Sequence, residues 1–483
     1  MTTQNITNQP HEKSLANKAI DLIIKDCSLV HNQQKEPYAI FEINGVRQVH
    51  SIISKGFSQL IASKYYAAKK APLPEASIKT VVSTLSGKAL YDGKGVEIFT
   101  RIAKTQDGYW LDLCNDKWEA VLVNKHGWKI HSGIAVPLFQ RSQSMKAIPT
   151  PQAGGSLDAL WQLVNIPPEN QMMILAWLLE CLRSDTPHVV VELFGEQGTA
   201  KSTTQRLLKM LIDPCAANLK ANPKKVEDVW IGATNCHLVS FENISQLTAE
   251  YQDALCVLAT GGAHATRTLF TNQEETVIEL RKPIILNGIS VNVTAPDLLD
   301  RSIQIELQPV NTRLQSCTVE ESFGKHYAQI IGALLDQFVA ALNLVETISI
   351  VDVQKPRMVD FAYLGEALYQ AGGREAGAFL ADYQAMRQKG VQRSIESSPV
   401  GIALLAYLDQ NPIGWSGKLQ ELLVLLPKPT GETNWPRTGK GLGDALRRLA
   451  PALRTLGYEC RPHQKQSGSI IWEVGPTPSK VSI

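Results

Sequence analysis

Residues 188–212 read HVVVELFGEQGTAKSTTQRLLKMLI. The first seven form a mostly apolar run of strand length, and the last ten repeat their apolar positions at helical spacing. Between them Gly195, Glu196, Gln197, Gly198, Thr199, Ala200, Lys201 and Ser202 keep the spacing of a phosphate-binding loop, with Ala200 where glycine usually precedes the lysine. A strand that feeds such a loop into a helix N-terminus turns backbone N–H groups toward an anion. In that arrangement Lys201 reaches the β- and γ-phosphates of ATP, Ser202 holds Mg²⁺ through its hydroxyl, and Thr203 offers a second hydroxyl. The plain alternative is a strand-to-helix turn carrying a Lys-Ser pair by chance. Ala200 adds a methyl where glycine reaches the required backbone more easily, which bears on affinity more than on the motif's identity.

Outward from this stretch, strand-like and helical runs alternate, as expected for a mostly parallel sheet between helices. His237-Leu238-Val239-Ser240-Phe241-Glu242-Asn243 resembles a Walker B strand. Glu242 stands where aspartate is usual and can order the Mg²⁺ shell through water. Asn243 stands where a glutamate commonly polarises the attacking water, and an amide cannot act as a general base. An ordinary core strand ending in a solvated glutamate is the alternative. Thr260-Gly261-Gly262 then leads to Arg267, two strand-like pieces flank a polar tip, Pro283–Gly288 (PIILNG) ends a buried strand at Asn287, and Asp297-Leu298-Leu299-Asp300-Arg301 follows.

This ordered set, from Val189 to Leu307, resembles the ATPase of superfamily 3 and related AAA+ replicative helicases of phages, plasmids and integrated mobile elements. The resemblance implies that Asn287 is the sensor-1 residue beside the γ-phosphate and that Arg301 is an arginine finger reaching a neighbouring subunit's nucleotide. It also implies that the Thr260–Glu279 hairpin faces a central channel with Arg267 on single-stranded DNA, and that Arg357, in the following helical lid, is the sensor-2 residue. A finger supplied in trans requires head-to-tail contacts that close into a ring, and similarity implies a homo-oligomer of six. For Arg301 an ion pair with Asp297 or Asp300 is the competing assignment, and for Arg357 a cap or ion pair within the lid.

The remaining organisation is read from composition and punctuation. The chain has 483 residues and a formal net charge of +2, so contact with nucleic acid has to come from local patches. Its eight cysteines are scattered without a zinc-like spacing, and with a polar leader and no 20-residue apolar run this points to the cytoplasm and away from a membrane. The expected fold class is α/β: a P-loop AAA+ core with a parallel sheet, preceded by an α+β domain and followed by a helical lid and a winged helix-turn-helix domain. The expected boundaries are 1–147 for the N-terminal α+β domain and 148–185 for a Pro/Gly-rich linker and helical lead-in. The ATPase core takes 186–312, the lid 313–395, the winged helix 396–476, and a tail 477–483. In the N-terminal domain Trp110, Trp118 and Trp128 are read as core more than as base-stacking platforms. The winged helix would put Arg437, Lys440, Arg447, Arg448 and Lys465 on a face able to contact duplex DNA, although winged helices also bind proteins. Three functions follow: an ATP-driven DNA helicase or translocase, a switch ATPase that loads a helicase, selects a target or senses invading DNA without unwinding it, and a degenerate ATPase that binds nucleotide for structure only.

Overall fold

The computed structural model describes residues 13–43, 45–223, 225–267, 275–310, 315–428, 435–466 and 469–477; the side chains of 264–267, 275–279, 316, 464–466 and 469 lie outside that description. It divides into two units, Met1–Val123 with Trp128–Pro149, and Asn124–Gly127 with Thr150–Ile483.

The first unit opens with α1 (Leu15–Ile24), whose first turn is capped by the Ser14 hydroxyl accepting from Asn17 N–H. A sheet of order β3-β2-β1-β4 follows, built from β1 (Cys27–His31), β2 (Pro37–Ile43), β3 (Val46–Ser51) and β4 (Lys94–Gly95). Helices α2 (Lys55–Lys69) and α3 (Glu75–Tyr91) bury Phe57, Ile61, Val81 and Leu85 with Ile23 and Phe41. A second meander, β5 (Ile102–Thr105), β6 (Gly108–Asp112), β7 (Ala120–Asn124) and β8 (Gly127–His131), pairs in sequence order. The strand pattern from Val96 gives way until Ile102 because Arg101 is buried in a left-handed conformation, φ 63°, where its guanidinium donates to the carbonyls of Asp112 and Lys146. Trp110 is core; Trp118 is half-buried beneath the Arg141 guanidinium, 3.9 Å from its ring centre, and Trp128 is half-buried.

In the second unit α4 (Asp158–Leu163) and α5 (Pro168–Glu180) lead into β9 (Val190–Phe194), α6 (Lys201–Ile212), β10 (Lys220–Ala221), α7 (Val226–Thr234), β11 (Val239–Ile244) and α8 (Ala249–Thr260). The hairpin β12 (Gly262–Arg267) and β13 (Glu275–Leu280) stands apart as a two-stranded sheet, followed by β14 (Ile284–Gly288), α9 (Pro296–Leu299) and β15 (Ser302–Glu306). The main sheet runs β10-β11-β14-β9-β15 with every neighbouring pair parallel. The central strands β9 and β14 are buried on both faces, as their mostly apolar sequences require. In a parallel sheet all strand ends share one edge, so the segments after Phe194, Ile244 and Gly288 emerge together. This convergence positions the site.

Helices α10 (Ser316–Leu344), α11 (Val359–Ala371) and α12 (Ala378–Glu396) follow. By length and composition α10 is apolar enough to cross a bilayer, yet Phe323, Ile330, Leu334 and Phe338 are buried where it packs on α5, α6 and α11. The last segment consists of α13 (Pro399–Gln410), β16 (Trp415–Gly417), α14 (Leu419–Leu425), α15 (Gly439–Thr455), β17 (Tyr458–Gln466) and β18 (Ser469–Pro476). Its antiparallel sheet has the order β16-β18-β17, so the expected hairpin gains a third strand too short to show a sequence period. Leu442, Leu446, Leu453 and Trp472 join one continuous apolar cluster with Val239, Leu258 and Leu298.

Candidate nucleotide site and nucleic-acid surfaces

The chain leaves β9 through a loop whose backbone few residues adopt: φ is 147° at Gly195, 92° at Gly198 and 53° at Ala200. Gly195 is demanded by space as well, because a Cβ there would lie 2.5 Å from the Leu307 carbonyl oxygen. Ala200 is the left-handed residue that starts α6. An L-residue in that region costs roughly 1–2 kcal/mol. The Lys201 ammonium donates to Gly195 O (2.8 Å), Glu196 O (2.6 Å) and Thr199 Oγ1 (3.2 Å), and partial burial lowers its pKa. Ser202 and Thr203 are half-buried in the first helical turn, whereas Glu196 and Gln197 are exposed at the loop tip. From α4's end, Asn165 Nδ2 donates to Thr199 O (2.9 Å) and to Gln308 O (2.7 Å).

The acid strand ends irregularly. Phe241 pairs with Leu286 and Ile244 with Gly288, so β11 carries one extra residue there, a bulge that includes Glu242 and Asn243. Asn243 has φ 54°, a conformation asparagine tolerates better than most residues. Its backbone N–H donates to Asn287 Oδ1 at 2.9 Å. Glu242 is half-buried and shares its face of the strand with Ser240, whose hydroxyl accepts from Gln205 on α6. Asn287 is buried in β14, between the loop's strand and the acid's strand, and its Nδ2 donates to Gln205 Oε1. At the far end of α6 the buried Lys209–Asp213 pair (2.6 Å) ties the helix to β11's approach, Asp213 accepting from His237 N (2.7 Å) and Leu238 N (3.1 Å). The structure thus brings Lys201, Ser202, Glu242 and Asn287 to one edge of the sheet. A polyphosphate chelating a divalent cation fits this set: amide donors of a 12-residue helix's N-terminus, an ammonium, a hydroxyl and a carboxylate.

The two arginines assigned to this chemistry lie elsewhere. Arg301 precedes β15, and Ser302 pairs with Val190 at the start of β9, so it sits at the opposite sheet edge from its own chain's loop. Its guanidinium is buried and donates to Asp297 O and to Asp297 Oδ1, both at 2.6 Å. The half-exposed Arg357 meets the same carboxylate at 3.3 Å, and the Cys256 thiol donates to its other oxygen at 2.9 Å. Expected as the sensor-2 residue, Arg357 here pairs with Asp297, at the sheet edge away from Lys201 of its own chain. Ion pairing with Asp297, the competing assignment for Arg301, is what this chain displays.

Of the expected DNA contacts, Arg267 lies in β12 with its backbone paired to Glu275, and Lys465 lies in β17 opposite Ile470; both side chains are outside the described residues. Arg437 and Lys440 are exposed beside the start of α15. Arg447 is paired with Asp444 at 2.7 Å and lies over the Trp472 ring at 5.4 Å. Arg448 is exposed and lines a cleft of about 1090 Å³ shared with Gly195, Glu196, Ile289, Arg393 and Glu396. Sequence reading missed Gln205 and Asn165. For Gln205 the only local signal is an amide four residues after Lys201 on the buried face of α6.

Residues 157–388 match the family model of AICE RepA, described as the actinomycete integrative conjugative element replication protein, and residues 400–479 match the model of the AICE RepA C-terminal domain. Over these two segments the chain is similar to the AICE RepA family. The matched segments span the loop, Glu242, Asn287, Arg301 and Arg357 as well as the three-stranded C-terminal sheet, so the likeness to replication proteins of mobile elements covers the whole candidate site. No curated protein matches. Among solved structures, one described as "SCCmec type IV Cch - active helicase" is similar at 11% identity and a TM-score of 0.47, covering 93% of this chain and 92% of that one. The apo C-terminal region of NrS-1 is similar at 13% identity and a TM-score of 0.40, covering 96% and 99%.

Proposed function

We propose that this chain is a P-loop ATPase of the AAA+ type that drives DNA unwinding as a closed ring, six-membered by resemblance, in the cytoplasm, during replication of a mobile element. The observation that carries the reading is the strand order β10-β11-β14-β9-β15, which sets the strand of Asn287 between the Lys201 loop and the acid-tipped strand. In this reading Gly195–Ala200, Lys201 and Thr203 hold the β- and γ-phosphates of ATP, Ser202 and Glu242 hold Mg²⁺, and Asn287 orients the water or senses the γ-phosphate. The bound metal supplies charge neutralisation on the transferring phosphoryl group. Since the Asn243 side chain is an amide and cannot take a proton from water, no residue at that position serves as general base.

Arg301 sits at the sheet edge away from its own loop, a placement suited to serving a neighbour's site once Asp297 releases it. Single-stranded DNA would meet the β12–β13 hairpin at Arg267. The C-terminal segment, with its helices, three-stranded sheet and exposed cations, suits the winged-helix reading and a duplex contact through Arg437, Lys440, Arg447, Arg448 and Lys465. The competing reading, a switch ATPase that does not separate strands, draws support from the Arg301–Asp297 pair and from Asn243, both of which suit a slow, gated hydrolysis.

The deciding experiment is strand separation on tailed duplexes, run beside ATP hydrolysis with and without single-stranded DNA. The helicase reading expects both activities, loss of both in Lys201→Ala and in Arg301→Ala, and partial recovery when the two variants are mixed. DNA-stimulated hydrolysis without unwinding would select the switch; neither activity in the parent would end the motor reading.

A further inference from the structure

We propose that Gln205 is a positioning residue for ATP hydrolysis, fixing the amide of Asn287 and the bulged acid strand in register with the phosphate loop. The inference rests on the nucleotide site proposed above and adds a residue to it. Gln205 is fully buried on α6, one turn beyond Lys201. Its Nε2 donates to Ser240 Oγ (2.8 Å), Phe241 O (3.0 Å) and Ile285 O (3.3 Å), and its Oε1 accepts from Asn287 Nδ2. One side chain from the loop's helix thereby grips both β11 and β14.

The direction of this chain of bonds is set by groups that cannot flip. At one end stands the backbone N–H of Asn243, always a donor, so the side-chain oxygen of Asn287 must face it. The Asn287 nitrogen then turns to Gln205, which must answer with its oxygen. At the other end stand the carbonyls of Phe241 and Ile285, always acceptors, and they require the Gln205 nitrogen. Both amides are therefore locked in one orientation, and the second N–H of Asn287 keeps a fixed bearing. A buried amide with an unpaired end is costly, so the set holds together or fails together.

A residue serving packing alone would lower stability and nucleotide affinity along with turnover. A positioning residue lowers turnover while binding, which rests on Lys201 and the loop, is spared. Misplacement on the order of 1 Å costs about 100-fold in rate. Gln205→Met, of similar volume, is expected to reduce the steady-state turnover of ATP by about 10- to 100-fold, with ADP affinity held within about twofold of the parent. Combining it with Asn287→Ala is expected to lower turnover no further than the worse single change.

Gln205→Glu provides an independent readout, useful should the methionine variant fail to fold. Burial keeps a carboxylic acid neutral at low pH, and the neutral acid mimics the amide with one O–H donor and one acceptor oxygen; ionisation then points negative charge at two carbonyls. Its turnover relative to the parent is expected to fall as pH rises, with ADP affinity unchanged. Parent-like turnover in Gln205→Met, a matching loss of ADP affinity, or a flat pH ratio in Gln205→Glu would overturn the assignment. If the parent hydrolyses ATP and Lys201→Ala does not, such a result removes Gln205 alone. Absence of hydrolysis in the parent removes the site itself.

Discussion

The Arg301 guanidinium is held 2.6 Å from the carboxylate and 2.6 Å from the backbone carbonyl of Asp297, four residues earlier in the same chain. Hydrogen bonding from Arg301 keeps the Asp297 carboxyl below the usual carboxylate range, so the pair persists into mild acid. For Arg301 to serve a neighbouring subunit this contact has to open, and Asp297 is exposed enough for water to assist. Although the guanidinium is buried, the Asp297 carboxylate is half-exposed and screened by water, so its charge contributes on the order of 1 kcal/mol. Asp297→Asn, which keeps an acceptor and removes the charge, is expected to shift the protein concentration giving half-maximal ATPase downward by about two- to fivefold. A titration of activity against protein concentration that superimposes on the parent's would reject the latch.

Ala200 carries backbone strain that the loop does not need for its shape. Ala200→Gly relieves the left-handed cost of roughly 1–2 kcal/mol and adds an unfolded-state entropy cost of about 0.5–1 kcal/mol. The expected net effect is neutral to about 1 kcal/mol stabilising, read from urea unfolding. Ala200→Val, β-branched at positive φ, is expected to lose more than about 1 kcal/mol. Tolerance of valine would contradict φ 53° at this position.

Glu192 lies in the middle of β9, fully buried, accepting from Asn292 N (2.6 Å), Val293 N (3.2 Å) and Gln304 Nε2 (2.8 Å). Burial pushes its carboxyl up from 4.5 to about 7 in spite of these donors. The native chain thus binds a proton that the unfolded chain has already released, and the stability contributed by this group is greatest at or below pH 4.5 and declines as pH rises toward 7. The decline attributable to this group is about 3 kcal/mol. Glu192→Gln should flatten that part of the stability profile measured by chemical unfolding across pH 4.5–8. An identical slope in both proteins would remove Glu192 as its source.

Arg437 and Lys440 are exposed, whereas Arg447 is committed to Asp444 and to the Trp472 ring. If the C-terminal segment contacts DNA phosphates, replacing Arg437 or Lys440 by alanine should each lower the salt-dependence slope of duplex binding by about 1. The Arg447 replacement should lower it by less. Slopes that stay equal in all three variants would argue for a protein partner on this face.

Legibility followed the range of the interactions. The strand–loop–helix unit around Lys201 could be read because strand, glycines, lysine and helix are contiguous, and the parallel sheet because its central strands are mostly apolar. Gln205 was invisible because its partners lie 35 to 82 residues away on two strands whose adjacency only folding creates. The Arg357–Asp297 pair was hidden for a related reason: spacing along a helical lid does not tell which edge of the sheet the lid's first turn approaches. Asn243 reads as a missing base in sequence, and in the folded chain it is the residue that allows β11 to bulge and to present an N–H to Asn287.

Asn165 works like a drawstring. By fastening Thr199 on one side and Gln308 on the other, it makes the curvature of the phosphate loop a tension felt both where the polypeptide arrives and where it departs. A displacement of Thr199 would therefore have to be absorbed at Asn165 or at Gln308, so the bend of this loop is shared by three stretches of chain distant in sequence.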